Sequence, residues 1–160
     1  MAVESAAPLI LIVDDTRLDR EIARDAVGDL ARIETASSAE EALEALARQH
    51  FDLLLTDLHL PGLSGLELLA RVRSDHARTD VVLITAHASL DSAVQALRMG
   101  AADYLNKPVH GDELALVVRR TLDRRRLQAE NVHLRDLLAT VEDCRALAAS
   151  LEPAEIHTIA

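Results

Sequence analysis

The fold is decided by residues 9–15, which read Leu9-Ile10-Leu11-Ile12-Val13-Asp14-Asp15. Five apolar residues in succession are typical of a strand that is covered on both faces, as in a parallel sheet. Two acids end the run, although nothing in a buried strand requires them. The stretch therefore predicts a buried parallel strand with polar groups at its carboxyl end.

Strand-like runs of this kind alternate with amphipathic helical stretches five times. We place the strands near 9–13, 31–35, 52–56, 80–84 and 102–105, and the helices near 16–27, 38–48, 64–73, 89–98 and from about 111 onward. We expect Ser37 or Ser38 to cap the second helix and Gly100 to end the fourth. Strict alternation favours a parallel sheet with right-handed crossovers, so the sequence predicts an α/β fold.

The bulk composition limits the class of protein. The chain has 160 residues, 49% hydrophobic and 28% charged, which suits one globular domain with an extension. It contains a single cysteine, Cys144, no membrane-spanning run and no signal-peptide pattern over residues 1–7, so we expect a cytoplasmic protein. The net charge of −10 argues against general nucleic-acid binding. We interpret the five arginines between 119 and 126 as a solvated helix face.

Polar residues follow four of the five predicted strands. They are Asp14, Asp15, Asp57, Thr85 and Lys107. In open α/β sheets, binding sites form in the crevice outside the carboxyl ends of the strands. Each residue has an ordinary alternative, such as a helix cap, a strand-end hydroxyl or a surface lysine. Their convergence at one edge of the sheet favours a site.

Lys107 is the only lysine among 17 basic residues. A compact ammonium fits where the wide planar head of arginine does not. Three carboxylates held close together repel one another unless cations join them, and one lysine offsets only one charge. Mg²⁺ prefers oxygen ligands and would offset the negative charge that remains. A carboxylate between the metal and the ammonium is suited to attack phosphorus, with the hydroxyl of Thr85 beside it.

Four motifs in order resemble those of bacterial two-component response regulator receiver domains. They are Ile12-Val13-Asp14-Asp15, Leu55-Thr56-Asp57-Leu58-His59-Leu60-Pro61-Gly62, Leu83-Ile84-Thr85-Ala86 and Gly100-Ala101-Ala102-Asp103-Tyr104-Leu105-Asn106-Lys107-Pro108. The resemblance covers residues 8 to about 125. It implies a flavodoxin-like sheet of five parallel strands in the order 2-1-3-4-5, with five helices.

The resemblance also implies roles for the acids and the lysine. Asp57 would be the phosphoacceptor, taking a phosphoryl group from a histidine kinase. Asp15, Asp57 and the backbone carbonyl of His59 would bind Mg²⁺ directly, and Asp14 would act through water. Lys107 would contact the phosphoryl group and would precede Pro108 by a cis peptide bond.

The resemblance also assigns roles to two further pairs of residues. Thr85 and Tyr104 occupy the switch positions, where the hydroxyl moves toward the phosphoryl oxygen and the ring turns inward behind it. His59 and His87 each lie two positions after a site residue, where side chains tune hydrolysis of the phosphoryl group. The alternatives are that Tyr104 is an ordinary core residue and that both histidines are solvated loop residues.

The residues after the receiver pattern form a helical extension. Neither glycine nor proline occurs between Asp112 and Glu152. Apolar residues and one asparagine recur at coiled-coil spacing, namely Leu127, Asn131, Leu134, Leu138 and Val141. We therefore predict a receiver over 1–125, a coiled coil over 126–152 that joins a homodimer, and a tail over 153–160. The rival interpretation is a single helix that folds back on the domain.

Residues 81–108 and 127–131 resemble NtrC-type receivers of sigma-54-dependent activators, in which a coiled linker leads into an AAA+ ATPase and a DNA-binding domain. The sequence contains neither a glycine-rich phosphate loop nor a helix-turn-helix pattern. It is therefore either a receiver-plus-linker piece of a longer activator or a short regulator that acts on an output protein through its coil. We expect no direct nucleic-acid contact.

The leading hypothesis is a transcription-regulating switch in which phosphate on Asp57 alters the face formed by the fourth helix, the fifth strand and the fifth helix. Such a protein would not be an enzyme beyond its own phosphorylation and dephosphorylation. The first alternative is a small phosphate-ester hydrolase with Asp57 as nucleophile, although no insertion offers a substrate-covering cap. The second is a flavin-binding domain, in which Asp14 and Asp15 would repel the flavin phosphate.

Overall fold

The computed structural model describes the backbone of residues 7–159 and the side chains of residues 7–141. Strands and helices alternate, as the sequence predicts, with ends shifted by one or two residues. The strands are β1 (Leu9–Val13), β2 (Arg32–Ala36), β3 (Leu53–Asp57), β4 (Asp80–Thr85) and β5 (Asp103–Asn106). The helices are α1 (Arg17–Val27), α2 (Ala39–Arg48), α3 (Gly65–Asp75), α4 (Leu90–Arg98) and α5 (Gly111–Ile159).

The five strands form one parallel sheet in the order β2-β1-β3-β4-β5. This order confirms the flavodoxin-like architecture. The pairing register aligns the carboxyl ends of the strands. Val13 pairs with Thr56, Asp57 with Ile84, and Thr85 with Asn106. Asp14 and Lys107, which directly follow β1 and β5, and Asp57 and Thr85, which end β3 and β4, consequently lie at the same edge of the sheet.

Alternation along the strands supplies two hydrophobic layers, one on each face of the sheet. In β1, Leu11 and Val13 belong to the layer that includes residues of α2 and α3. Ile10 and Ile12 belong to the opposite layer, with residues of α1 and the start of α5. Successive side chains of a strand point to opposite faces, so an uninterrupted apolar run is what a doubly covered sheet requires.

Local signals place the helices against the sheet. The Ser38 hydroxyl accepts the N–H of Glu41 and thereby caps α2, as predicted, and the Glu41 carboxylate accepts from Ser37. Gly100 has a φ of 98° directly after α4, where a side chain would be strained. At Gly65 a Cβ would overlap the carbonyl oxygen of Asp57, so only glycine lets α3 begin this close to β3.

The backbone divides into two compact units, Met1–Leu122 and Asp123–Ala160. The boundary between receiver and extension at residues 125 and 126 stays a prediction. In the second unit, every side chain described from residue 126 to residue 141 is exposed, including the residues of the predicted dimer seam. No helix among the described residues has the length and apolar character needed to cross a membrane.

Candidate functional site

The centre of the site is the ammonium of Lys107, which donates to three carboxylates. Its Nζ lies 2.8 Å from Asp14 Oδ2, 2.9 Å from Asp19 Oδ2 and 3.0 Å from Asp57 Oδ2. The side chains of Lys107 and Asp57 are only 18% and 11% exposed. The structure therefore brings the single lysine to two of the predicted acids, Asp14 and Asp57, and to a third acid, Asp19.

Burial and charge act against each other in this cluster. Burial lowers the pKa of Lys107, but hydrogen bonds to the three carboxylates outweigh it and raise that pKa well above its usual range. For Asp14 the balance is reversed. Burial raises the pKa of its carboxyl, and the hydrogen bond from Lys107 compensates only in part. The ammonium is thus firmly charged, whereas Asp14 keeps an uncompensated cost of ionisation that a cation would relieve.

Asp14, Asp15 and Asp57 each place a carboxylate oxygen within 4.8 Å of the other two. Asp14 and Asp57 are largely withdrawn from water, and Asp15 is exposed. An all-oxygen, negatively charged cluster of this size matches the preference of Mg²⁺ for a few carboxylates with retained waters. The residues present therefore fit a hard divalent ion.

Backbone hydrogen bonds fix Asp14 at the end of β1. Its N–H donates to the carbonyl of Ala36, and its Oδ1 accepts the N–H of Thr16 at 2.9 Å just before α1. Its carbonyl accepts from the guanidinium of Arg20. Asp14 does not cap α1, whose N-cap residue is Thr16. One of its carboxylate oxygens accepts from the turn before that helix, and the other contacts Lys107.

Thr85 is fully buried at the end of β4, and its carbonyl accepts the N–H of Lys107 at 2.7 Å. Thr85 pairs across the sheet with Asn106, the residue directly before Lys107. Ile84, the residue before Thr85, pairs with Asp57 on the other side. Tyr104 is half-buried against the core, and its hydroxyl lies 2.7 Å from Ser92 Oγ on α4. The peptide bond between Lys107 and Pro108 is cis.

His59 and His87 lie on the two loops that follow β3 and β4. The N–H of His59 donates to Asp57 Oδ1 at 3.0 Å, and the N–H of His87 donates to Thr85 Oγ1 at 3.2 Å. Their rings contact each other edge to face, with centroids 5.5 Å apart. Both side chains are exposed, as solvated loop residues would be, but they form a pair, which the sequence did not indicate.

A cavity of about 330 Å³ adjoins the cluster between α1 and the start of α5. Its lining includes the charged residues Asp14, Asp19, Asp57 and Lys107 and apolar residues such as Ile22, Ala26 and Leu114. The ammonium and its three carboxylates therefore line one cavity together with apolar residues of α1 and α5.

Asp19 is the site residue that sequence reasoning missed. It lies in the first turn of α1 and supplies the third carboxylate on Lys107. A signal was present, because Asp19, Ala23 and Val27 recur at helical spacing, and the last two are buried. An acidic residue on the buried face of α1, after a strand that is followed by two acids, indicates that a cation lies within reach of that face.

This fold with this cluster defines a class of signalling domain. The family model for the response regulator receiver domain matches residues 10–119, and the chain belongs to that family. The receiver interpretation is therefore confirmed over its alternatives, the phosphate-ester hydrolase and the flavin-binding domain.

Comparison with individual relatives indicates the subgroup within the receiver family. The chain is 44% identical over 122 residues to the response regulator protein PilR of Pseudomonas aeruginosa, covering 75% of this chain and 27% of PilR. It is 36% identical over 126 residues to the DNA-binding transcriptional regulator NtrC of Escherichia coli, covering 78% of this chain and 27% of NtrC. The predicted NtrC-type character is thus confirmed, and the chain spans about a quarter of the length of these relatives.

A solved structure agrees with both the fold and the subgroup. NtrX from Brucella abortus superimposes with a TM-score of 0.75 at 35% identity, covering 80% of this chain and 30% of that chain. The likeness extends through most of this chain and concerns a minor part of the longer protein.

Proposed function

We propose that the carboxylate of Asp57 accepts a phosphoryl group from a phosphohistidine of a histidine kinase. The observation that carries the proposal is the position of Asp57, which belongs to the three-acid cluster and also contacts the ammonium of Lys107 at 3.0 Å. A nucleophile between a cation site and an ammonium can meet a phosphoryl group whose charge is already balanced. Family membership supports the same role.

Mg²⁺ is the proposed cofactor, which Asp15, Asp57 and the backbone carbonyl of His59 would bind directly and Asp14 through water. When bound, the ion supplies positive charge that neutralises phosphoryl oxygens. The raised pKa of Asp14 supports this assignment, because a buried carboxylate with a residual cost of ionisation gains from a cation. The exposed Asp15 leaves the cluster open to solvent.

The transfer balances without a further reactant. An Asp57 oxygen forms a bond to phosphorus, the bond from phosphorus to the donor nitrogen breaks, and that nitrogen keeps the electron pair. Lys107 holds its charge throughout because its pKa is raised, so it stabilises phosphoryl oxygen without acting as an acid. In the separate dephosphorylation reaction, a water oxygen attacks phosphorus, the bond from phosphorus to the Asp57 oxygen breaks, and inorganic phosphate and the free carboxylate result. We propose no catalytic activity beyond these two self-directed reactions.

The consequence of phosphorylation is a shift between two states of the α4-β5-α5 face. We propose that the hydroxyl of Thr85 moves toward the phosphoryl group and that Tyr104 turns inward behind it. Tyr104 is tied to Ser92 of α4 at 2.7 Å, so movement of the ring would disturb the start of that helix. A switch of this kind requires a difference in contacts between two states, and this hydrogen bond is a candidate.

The output that the switch would control involves contacts outside the receiver domain. We propose that residues 127–141 join two copies of the chain and that the dimer controls a transcription output, through further domains or through a separate protein. The net charge of −10 supports a role without direct nucleic-acid contact. The single cysteine supports a reducing compartment, for which the cytoplasm is our proposal.

Incubation with acetyl phosphate and Mg²⁺, followed by intact-mass measurement, tests the proposal. We expect a labile adduct of one phosphoryl group on the wild-type chain, lost when Mg²⁺ is chelated beforehand and absent from Asp57→Ala. Asp25→Asn on the exposed face of α1 is the matched control and should label normally. An adduct that persists in Asp57→Ala would refute the assignment. Steady turnover of a phosphate ester by the wild-type chain would instead favour a hydrolase.

A further inference from the structure

Two histidine rings meet above the strand ends, on loops that come from different strands. His59 belongs to the loop between β3 and α3, and His87 belongs to the loop between β4 and α4. Their ring centroids are 5.5 Å apart with an interplanar angle of 71°. Two imidazoles bound to one tetrahedral ion at metal–nitrogen distances of about 2.0–2.1 Å have ring centres roughly 5 Å apart. The observed separation therefore suits a shared ion.

The loops that carry the rings are anchored. The N–H of His59 donates to Asp57 Oδ1 and that of His87 to Thr85 Oγ1, and both acceptors belong to strand-end residues. The N–H of Leu58 donates to the carbonyl of Ile84 at 3.3 Å and so ties the first loop to β4. Ligands on supported backbone lose little freedom when an ion binds, which favours binding.

The chemistry of this pair differs from that of the acids next to it. Imidazole nitrogen suits Zn²⁺, Cu²⁺ and Ni²⁺, whereas Mg²⁺ takes carboxylate and water oxygens. Both histidines are exposed, so an ion has access and water can complete its coordination. One edge of the sheet would then hold two cation sites that are distinguished by ligand type.

We propose that His59 and His87 form a second metal site, selective for a borderline divalent transition ion such as Zn²⁺ or Cu²⁺. A bound ion would link the β3–α3 and β4–α4 loops at the mouth of the acidic cluster. The proposal stands apart from the assignment of Asp57 as phosphoacceptor, because it concerns binding of an ion and requires no phosphorylation.

Equilibrium dialysis of the full chain against Zn²⁺, in excess Mg²⁺ to occupy the acids, tests the site. We expect His59→Asn and His87→Asn each to weaken Zn²⁺ binding by about tenfold or more, since loss even of an outer partner has effects of that size. His133→Asn replaces another exposed histidine, on α5, and should bind as the wild type does. Circular dichroism of the variants verifies that they are folded.

Cu²⁺ in place of Zn²⁺ provides a direct ligand count. Electron paramagnetic resonance should report two imidazole nitrogens on Cu²⁺ in the wild-type chain and in His133→Asn, but one in His59→Asn and in His87→Asn. Equal Zn²⁺ retention by all four proteins would overturn the site. A single coordinated imidazole in the wild type would overturn it as well.

Discussion

Lys107 gives each of its three ammonium hydrogens to a different carboxylate, at 2.8, 2.9 and 3.0 Å. Such an arrangement needs a point charge at the place where three acids converge. The flat five-donor head of arginine cannot put one nitrogen within reach of all three. This geometry explains why position 107 holds a lysine in a chain otherwise rich in arginine.

Substitution Lys107→Arg keeps the charge and changes the shape, so it separates the two contributions. We expect the rate of Asp57 labelling by acetyl phosphate to fall about a hundredfold, the size typical of losing one positioned donor. Intact-mass time courses measure the rate. Arg120→Lys, on the exposed part of α5, makes the opposite exchange and should leave it unchanged. A near-normal rate in Lys107→Arg would mean that charge alone suffices.

Asp19 accepts a hydrogen bond from the ammonium that is proposed to contact the incoming phosphoryl group, so the two would compete for it. Replacing it with asparagine removes one negative charge and frees one of the three hydrogens on Lys107. We expect Asp19→Asn to accelerate labelling by the anionic donor about threefold, since a partly solvated charge contributes roughly 1 kcal/mol or less. Labelling rates of Asp25→Asn, which removes the same charge from an exposed position of α1, provide the comparison. Slower labelling of Asp19→Asn would instead show that Asp19 is needed to position Lys107.

Asp14 links the acidic cluster to the pH dependence of stability. Burial raises the pKa of Asp14 above its ordinary value of 3.8, so the folded chain binds this proton more tightly than the unfolded chain. The resulting stabilisation is present below that value and is lost as the pH rises through the folded pKa. At neutral pH without metal, the ionised carboxylate therefore lowers the free energy of unfolding.

Substitution Asp14→Asn removes this cost while Asp19 and Asp57 continue to hold Lys107. In metal-free buffer at about pH 7 we expect the variant to exceed the wild type in free energy of unfolding by about 1 kcal/mol. The difference should shrink as the pH falls toward about 4. Urea titrations at several pH values measure it. A variant less stable than the wild type at neutral pH would show that the bond to Lys107 outweighs burial.

At the scale of secondary-structure elements, Ser92 holds the start of α4 in two ways. Its Oγ accepts the N–H of Ser89 at 3.2 Å in a capping box, and the same oxygen lies 2.7 Å from the hydroxyl of Tyr104 on β5. The helix and the strand are thus connected through one side chain. The face proposed to change on phosphorylation contains this connection.

Two substitutions separate the contributions of Ser92. Tyr104→Phe removes only the bond between helix and strand and should lower the free energy of unfolding by about 1 kcal/mol. Ser92→Ala also removes the bond from the Ser89 N–H to Ser92 Oγ, which is half of the capping box, and should lower it by about 2 kcal/mol. Urea unfolding measures both, with Ser74→Ala at an exposed position of α3 as the control. Equal losses in the two variants would mean that the bond from Ser89 N–H to Ser92 Oγ contributes nothing.

β1, β3 and β4 were predictable because each is an apolar run with a polar residue at its carboxyl end. β2 and β5 are not apolar runs and were predictable from the regular alternation of strands with helices. The sheet order was predictable through the resemblance. The partners of Lys107 were predictable in part. Asp14 follows β1 and Asp57 ends β3, and the carboxyl ends of parallel strands lie at one edge of the sheet. Asp19 instead lies in the first turn of α1, and its contact with the lysine depends on which side of that helix faces the sheet edge. The contact between the rings of His59 and His87 depends on the paths of two loops, which no periodic pattern fixes.

At the scale of the whole molecule, α5 is the element that passes from one compact unit to the other, because it begins at Gly111 and ends at Ile159. In the described part of the second unit, its apolar side chains are exposed at the spacing of a coiled coil. An exposed apolar stripe on a helix is stabilised when a second helix covers it. A second copy of the chain presents the same stripe and is the proposed partner.

Leu134 and Val132 offer a matched test of that pairing, because both are apolar and are 55% and 57% exposed, but only Leu134 lies on the seam. We expect Leu134→Lys to shift the chain toward monomer by placing two like charges in the interface, with a dissociation constant raised about a hundredfold or more. Val132→Lys lies on the outer side and should remain dimeric. Sedimentation equilibrium over a concentration series measures both. If the two variants dissociate equally, residues 127–141 do not pair through the predicted seam, and a wild-type chain that is monomeric at every concentration would exclude the dimer itself.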